Sequence, residues 1–173
     1  MSGPSGSRST RQGAAVTRSF REGEVSDLYV RLLDAWNQRD ADAFADLFAV
    51  QGHAIGYDGS LMDGREEIRS SLEAIFEDHA PARYVGKVRG VEGLSGESAL
   101  LRAVAGMVPP GARDLNAHTS VQSLVAVRLI EGWQIILWQN TPASFDGRPD
   151  DRAQLDDELR QLLPDQPTRS SDR

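Results

Sequence analysis

GWQIILWQNTPASF, residues 132–145, is the stretch on which the reading of this chain turns. Trp133 to Trp138 is rich in β-branched and aromatic side chains and reads as a strand covered on both faces. The run then stops in three hydrogen-bonding residues, Gln139, Asn140 and Thr141, and Pro142 closes it. A core strand that ends this way either satisfies backbone groups at its exit or lines a pocket with polar side chains.

Immediately upstream, Glu131-Gly132 allows a two-residue hairpin turn. Pairing then runs outward from Ile130 opposite Trp133. It sets Ala126 against Leu137, Leu124 against Gln139 and Gln122 against Thr141. The other face carries Val125 opposite Trp138, Val127 opposite Ile136 and Ser123 opposite Asn140. A one-residue slip exchanges the two faces. On this register the Gln122/Gln139 face is the interior. Val125, Val127, Ile136 and Trp138 form an apolar patch suited to a second copy of the chain.

Further upstream, segments 83–92, 97–108 and 117–130 share the strand composition and are joined by glycine- and proline-containing links. With 133–141 they make an antiparallel meander of four strands. Before them the period changes. Val25, Leu28, Tyr29, Leu32, Leu33 and Trp36 lie on one face of an amphipathic helix. Asp40 can cap a second, short helix carrying Phe44, Leu47 and Phe48. A short strand at 53–57 and a third helix with Ile68, Leu72, Ile75 and Phe76 follow, and Asp63 is placed to cap that helix. A last helix spans about 149–163, with Pro149 in its first turn. Helices segregated against one curved antiparallel sheet define an α+β cone. The organisation expected is a flexible Gly/Ser/Arg-rich arm at 1–21, one domain at 22–163 and a polar tail at 164–173.

The composition narrows the function. Net charge is −7, and the local basic excess lies in the arm, so nucleic acid is not an expected partner. There is no cysteine, which removes disulfides, thiol nucleophiles and thiolate metal sites. No apolar run approaches the ~20 residues a membrane helix needs, and the N-terminus has no apolar signal core. A cytoplasmic protein without membrane contact is expected. No HExxH, EF-hand, GxGxxG or P-loop pattern occurs, so no metal and no cofactor is expected.

The blocks LLDAWNQRDADAFADLF (32–48), DGSLMDGREEI (58–68), YVGKVRGV (84–91), LLRAVAGMVPPG (100–111) and GWQIILWQNTPASFDGRP (132–149) together resemble the SgcJ/EcaC-type family. That family lies in the nuclear transport factor 2-like (SnoaL-like) superfamily and is associated with enediyne and other natural-product biosynthesis. The resemblance covers roughly residues 24–150. It implies a conical fold with an internal cavity, usually a homodimer. It also implies a hydrophobic, polyketide-like small molecule as partner, with a biosynthetic enzyme as a further one.

Within that frame His53 and Tyr57 share strand parity with Ile55 and are the candidates for acid–base work. Trp36, Leu124 and Leu137 would wall the ligand cavity, with Gln122 and Gln139 as its polar groups. Arg102, a charge in mid-strand, faces either solvent or a ligand. Two activities fit: cofactor-free isomerisation, cyclisation or dehydration of a polyketide or polyene intermediate, and non-catalytic binding that sequesters a product or assists a biosynthetic enzyme.

Overall fold

The computed structural model describes residues 22–164. The expected arm and all but the first residue of the expected tail lie outside them. The elements are α1 (Glu22–Gln38), α2 (Ala41–Asp46), β1 (Phe48–Ile55), β2 (Leu61–Asp63), α3 (Arg65–Asp78), β3 (Arg83–Ser95), β4 (Ser98–Val108), β5 (Ser120–Leu129), β6 (Gly132–Pro142) and α4 (Pro149–Arg160). They form one six-stranded sheet in the order β2-β1-β6-β5-β4-β3. Every neighbouring pair is antiparallel except β1 and β6, which run parallel. The meander β3 to β6 is as the composition predicts. The sheet is extended beyond β6 by β1 and the three-residue β2, which the sequence reading did not separate.

Three helices pack on the inner face of this sheet. The stripe on α1 buries Val25, Leu28, Tyr29, Leu32 and Leu33, and they meet Phe44, Phe48, Ile68 and Leu72 in one core with Leu101, Leu124 and Ile135. Asp40 caps α2, its Oδ1 accepting from the Ala43 amide at 2.8 Å. Phe48 does not belong to α2; it opens β1, because the α2 helix ends in one turn and the chain extends at once into the sheet. The cap of α3 also differs. Gly64, with a φ of 95°, occupies the cap position without a side-chain bond, and Asp63 stays in β2 opposite His53. Arg65 then ties α3 to β1, donating from Nε and Nη2 to the Phe48 carbonyl oxygen at 2.8 and 2.5 Å. α4 lies against the outer face, where Leu155 and Leu159 cluster with Val104 and Ala143.

The β5–β6 hairpin decides which side chains point inward. Its turn is Ile130-Glu131, one residue earlier than the Glu131-Gly132 turn the sequence suggests, and Leu129 pairs with Gly132. From there the ladder is regular to Ala126 opposite Ile135. A β-bulge then accommodates Ile136, and pairing resumes with Val125 opposite Leu137, Leu124 opposite Trp138 and Gln122 opposite Asn140. The earlier turn displaces the register by two residues, which preserves faces. The bulge returns one residue, which exchanges them. Beyond Ile136 the expected faces of β6 are therefore reversed. Trp138 and Asn140 point inward and are buried, while Leu137 and Gln139 share the outer face with Val125 and Ser123.

Candidate functional site

The mouth of the cone opens into a cavity of about 470 Å³ between α1, α3, the β1–β2 loop and the inner face of the sheet. Aromatic rings make much of its wall. Trp36 stands 5.3 Å from Tyr84 and 5.5 Å from Phe76, centroid to centroid, and Trp138 packs edge-on to Phe44 and Tyr84. Met62, Leu72, Ile75 and Met107 fill the intervals. The indole of Trp36 is fixed by donating from Nε1 to the Ala82 carbonyl oxygen at 2.9 Å.

Polar groups enter this apolar space from two sides. Behind the deep wall, four side chains form a hydrogen-bonded chain, of which Tyr84 reaches the cavity. Tyr29 Oη donates to Gln122 Oε1 at 2.7 Å, Gln122 Nε2 donates to Asn140 Oδ1 at 3.1 Å, and Asn140 Nδ2 donates to Tyr84 Oη at 2.7 Å. All four are buried. Each link faces the same way, so Tyr84 accepts from Asn140 and its own proton finds no acceptor among the described residues. Tyr84 lines the cavity. Burial raises the pKa of both phenols far above the ordinary tyrosine range, and for Tyr84 the Asn140 hydrogen bond offsets part of the shift. The deep end is thus neutral at any physiological pH.

At the mouth, Tyr57 from the β1–β2 loop stacks on His118 from the β4–β5 loop, with centroids 5.2 Å apart and planes 20° from parallel. Asp58 beside them is held ionised below the usual carboxylate range by the Ser60 amide at 3.0 Å, with the Ser60 hydroxyl adding a second bond. Aromatic and titratable groups therefore gather where a ligand would enter.

The structure brings Trp36, Tyr57 and Gln122 into this arrangement, and Leu124 into the core beneath it. It does not bring His53 there. His53 pairs with Leu137 on the parallel β1–β6 ladder and shares its outer face, with Nδ1 2.7 Å from Asp63 Oδ1. Leu137 and Gln139 lie on that face too, as the bulge requires, and Gln139 is exposed. Arg102 is on the outer face, exposed and beside α4. Of the patch assigned to a second copy, Val125 and Val127 do lie outward and half-buried, and Ile136 sits at the bulge. Trp138, 3 % exposed, is a core residue and not a surface one. Tyr29, Tyr84, Asn140 and His118 escaped the sequence reading as site residues. The polar strand end was the available signal: among Gln139, Asn140 and Thr141 the one that is buried is Asn140, which supports the cavity-lining Tyr84 from behind.

Among the described residues no three His, Asp or Glu side chains come together as a metal site, and no helix is long and apolar enough to cross a membrane. A cone of sheet and helices around an aromatic cavity with a neutral polar floor defines the nuclear transport factor 2-like class of fold. The chain belongs to the SnoaL-like domain family, whose model matches residues 25–142. Among solved structures it is similar to a Nostoc punctiforme domain of unknown function with a cystatin-like fold, at 25% identity and a TM-score of 0.67, covering 82% of this chain and 93% of that one. A ketosteroid isomerase-like protein from Erwinia carotovora atroseptica is 15% identical, with a TM-score of 0.59, covering 70% and 95%. An NTF-2 like protein of unknown function from Shewanella oneidensis is 18% identical, with a TM-score of 0.55, covering 69% and 97%. At these last two identities the likeness is one of fold. No curated protein matches the chain.

Proposed function

We propose that the cone cavity binds an apolar, conjugated small molecule by a carbonyl or similar oxygen that accepts the Tyr84 proton. In this reading the chain acts in natural-product biosynthesis of the polyketide or enediyne type, holding an intermediate or product for a partner enzyme. The observation that carries it is the one-way chain Tyr29–Gln122–Asn140–Tyr84, which ends in a neutral donor on an aromatic wall. Sparse, converging polar groups in an apolar pocket are the general form of a small-molecule site. A cavity floor without a charge suits a neutral ligand, since an anion there would lose its hydration without gaining a counter-ion.

The test uses two neutral probes of one shape, 2-acetylnaphthalene and 2-ethylnaphthalene, with binding followed by fluorescence. Tyr84→Phe should weaken the ketone about two- to tenfold, the worth of one net hydrogen bond, and leave the hydrocarbon unchanged. Equal effects on both probes, or none on either, refute the assignment of Tyr84. Native mass spectrometry on protein from its producing cells would report a retained ligand and the subunit count together.

A second reading, cofactor-free proton transfer, is favoured by the titratable imidazole of His118 at the mouth, stacked on Tyr57. In it Tyr84 steadies a developing enolate oxygen and His118 moves the α-proton. The same ketone tests it, through deuterium uptake at its methyl group in D2O. Uptake above the buffer rate that is lost in His118→Gln supports turnover; uptake at the buffer rate leaves the binding reading alone. The outer face, with Val125, Val127 and Leu137 half-buried and uncovered by α4, is proposed as the contact with a second copy.

A further inference from the structure

α4 covers only part of the outer face of the sheet. Between the helix and β4 runs a groove of about 590 Å³, separate from the cone cavity. Its floor is apolar, with Val104, Val121 and Phe145. Its polar edge carries Arg102 and Arg89, with Ser123 beside them.

The charges here run against those of the whole chain. Net charge is −7, yet three cations lie along this side of β3 and β4. Lys87 Nζ and Arg89 Nη2 both turn to one carboxylate, Glu158 on α4, at 2.9 and 2.6 Å. The other acid at the groove, Asp151, is engaged by Arg148 at 2.8 Å. Arg102 has no carboxylate partner among the described residues. Lys87, Arg89 and Arg102 against Glu158 leave two positive charges in excess.

Arg102 is also placed, not loose. The β4–β5 register sets it opposite Ser123, and the β3–β4 register sets it opposite Gly90, next to the bulge that takes in Arg89. The guanidinium reaches over Gly90: a Cβ there would lie 3.4 Å from Arg102 Nη2. A glycine on the neighbouring strand thus leaves the fork room to lie flat, in a groove that Arg89, paired with Glu158, also lines. Two neighbouring guanidiniums repel each other unless an anion joins them, and the planar fork matches a carboxylate.

We propose that this groove is a second binding site, for a small amphipathic carboxylate. The head group bridges Arg102 and Arg89, and the aliphatic or aryl body lies on Val104, Val121 and Phe145. The site is independent of the cone cavity and of whatever that cavity holds.

The experiment is calorimetric titration of the full chain with octanoate, and with 1-octanol as the uncharged probe of the same length. Octanoate should bind and octanol should not. Raising the salt concentration tenfold should weaken octanoate. Arg102→Gln, a change at an exposed position, should reduce its affinity tenfold or more, in line with the loss of a charge-assisted pair. Tyr84→Phe should leave it unaltered. No octanoate binding at millimolar concentration overturns the proposal, as does equal binding of octanol. So does an Arg102→Gln variant, folded by circular dichroism, that binds as wild type. Octanoate binding that responds to Tyr84→Phe and not to Arg102→Gln would put the probe in the cone and equally refute the groove.

Discussion

Replacing Gln122 by Leu cuts the buried chain at its centre. The substitution removes both bonds made by the Gln122 amide, at 2.7 and 3.1 Å. Tyr29 Oη loses its acceptor and Asn140 Oδ1 loses its donor, and neither can turn to water, because Tyr29 is 1 % and Asn140 3 % exposed. An orphaned buried polar group costs about 1–3 kcal/mol, so Gln122→Leu should cost roughly 2–5 kcal/mol. Tyr29→Phe alone orphans only the Gln122 oxygen and should cost about 1–2 kcal/mol. The double variant leaves Asn140 Oδ1 as the one unpaired group of this set. Its loss should therefore fall short of the sum of the singles by about 2–4 kcal/mol, the cost of the two orphaned groups it no longer has. Urea unfolding with shared m-values measures all three. A Gln122→Leu cost below ~0.5 kcal/mol, or strict additivity in the double variant, would refute the view that these groups act as one desolvated network.

Gly86→Ala should destabilise by about 1–3 kcal/mol, since its Cβ would stand 2.5 Å from Leu33 Cδ1 and 2.6 Å from Tyr29 Oη; thermal unfolding measures it. Above pH 10 the protein should lose stability. Burial raises the pKa of Tyr29 and Tyr84 above the ordinary 10.0, so the native state keeps protons that the unfolded chain gives up. Their contribution is complete below pH 10 and falls by about 1.4 kcal/mol per pH unit for each tyrosine above it, which urea midpoints between pH 8 and 11.5 would follow; a flat profile refutes it. Leu137→Arg should yield a folded monomer by light scattering, whereas Trp138→Arg, which buries a charge among aromatic rings, should fail to fold; a folded, dimeric Trp138→Arg would overturn the inward placement of that ring.

Much of the architecture is legible in the sequence because it rests on local rules. The α1 stripe, the Asp40 cap and the β-rich segments after Ala82 each follow from side-chain period and type within a few residues. What was not legible depends on register. Nothing in GWQIILWQNT marks Ile136 as the spare residue of a bulge, since both faces of β6 are apolar there and either phase looks plausible. One such residue moved Gln139 out and Asn140 in. The remaining site residues meet only through the fold: His118 reaches Tyr57 from a loop far along the chain, and Tyr84 meets Asn140 across 56 positions. Strand parity groups His53 with the apolar Ile55, which suggests an inward face. The structure puts it outward, because Ala54 pairs with the inward Trp138 and so leaves His53 and Ile55 opposite Leu137 and Gln139 on the outer face.

The bulge at Ile136 also makes β6 tolerant in one place of what a strand ordinarily refuses. Dropping a residue from the middle of a regular strand turns every later side chain over. Dropping Ile136 would not: Ile135 keeps Ala126, Leu137 keeps Val125, and Trp138 and Asn140 keep their inward aim. What would change is the bend, because an unpaired residue tightens the local twist of the strand that carries it. Length at this point is thus exchangeable for curvature. A lineage of such chains could widen or narrow its cone by gaining or losing a single codon here, while leaving the identity of every wall residue untouched.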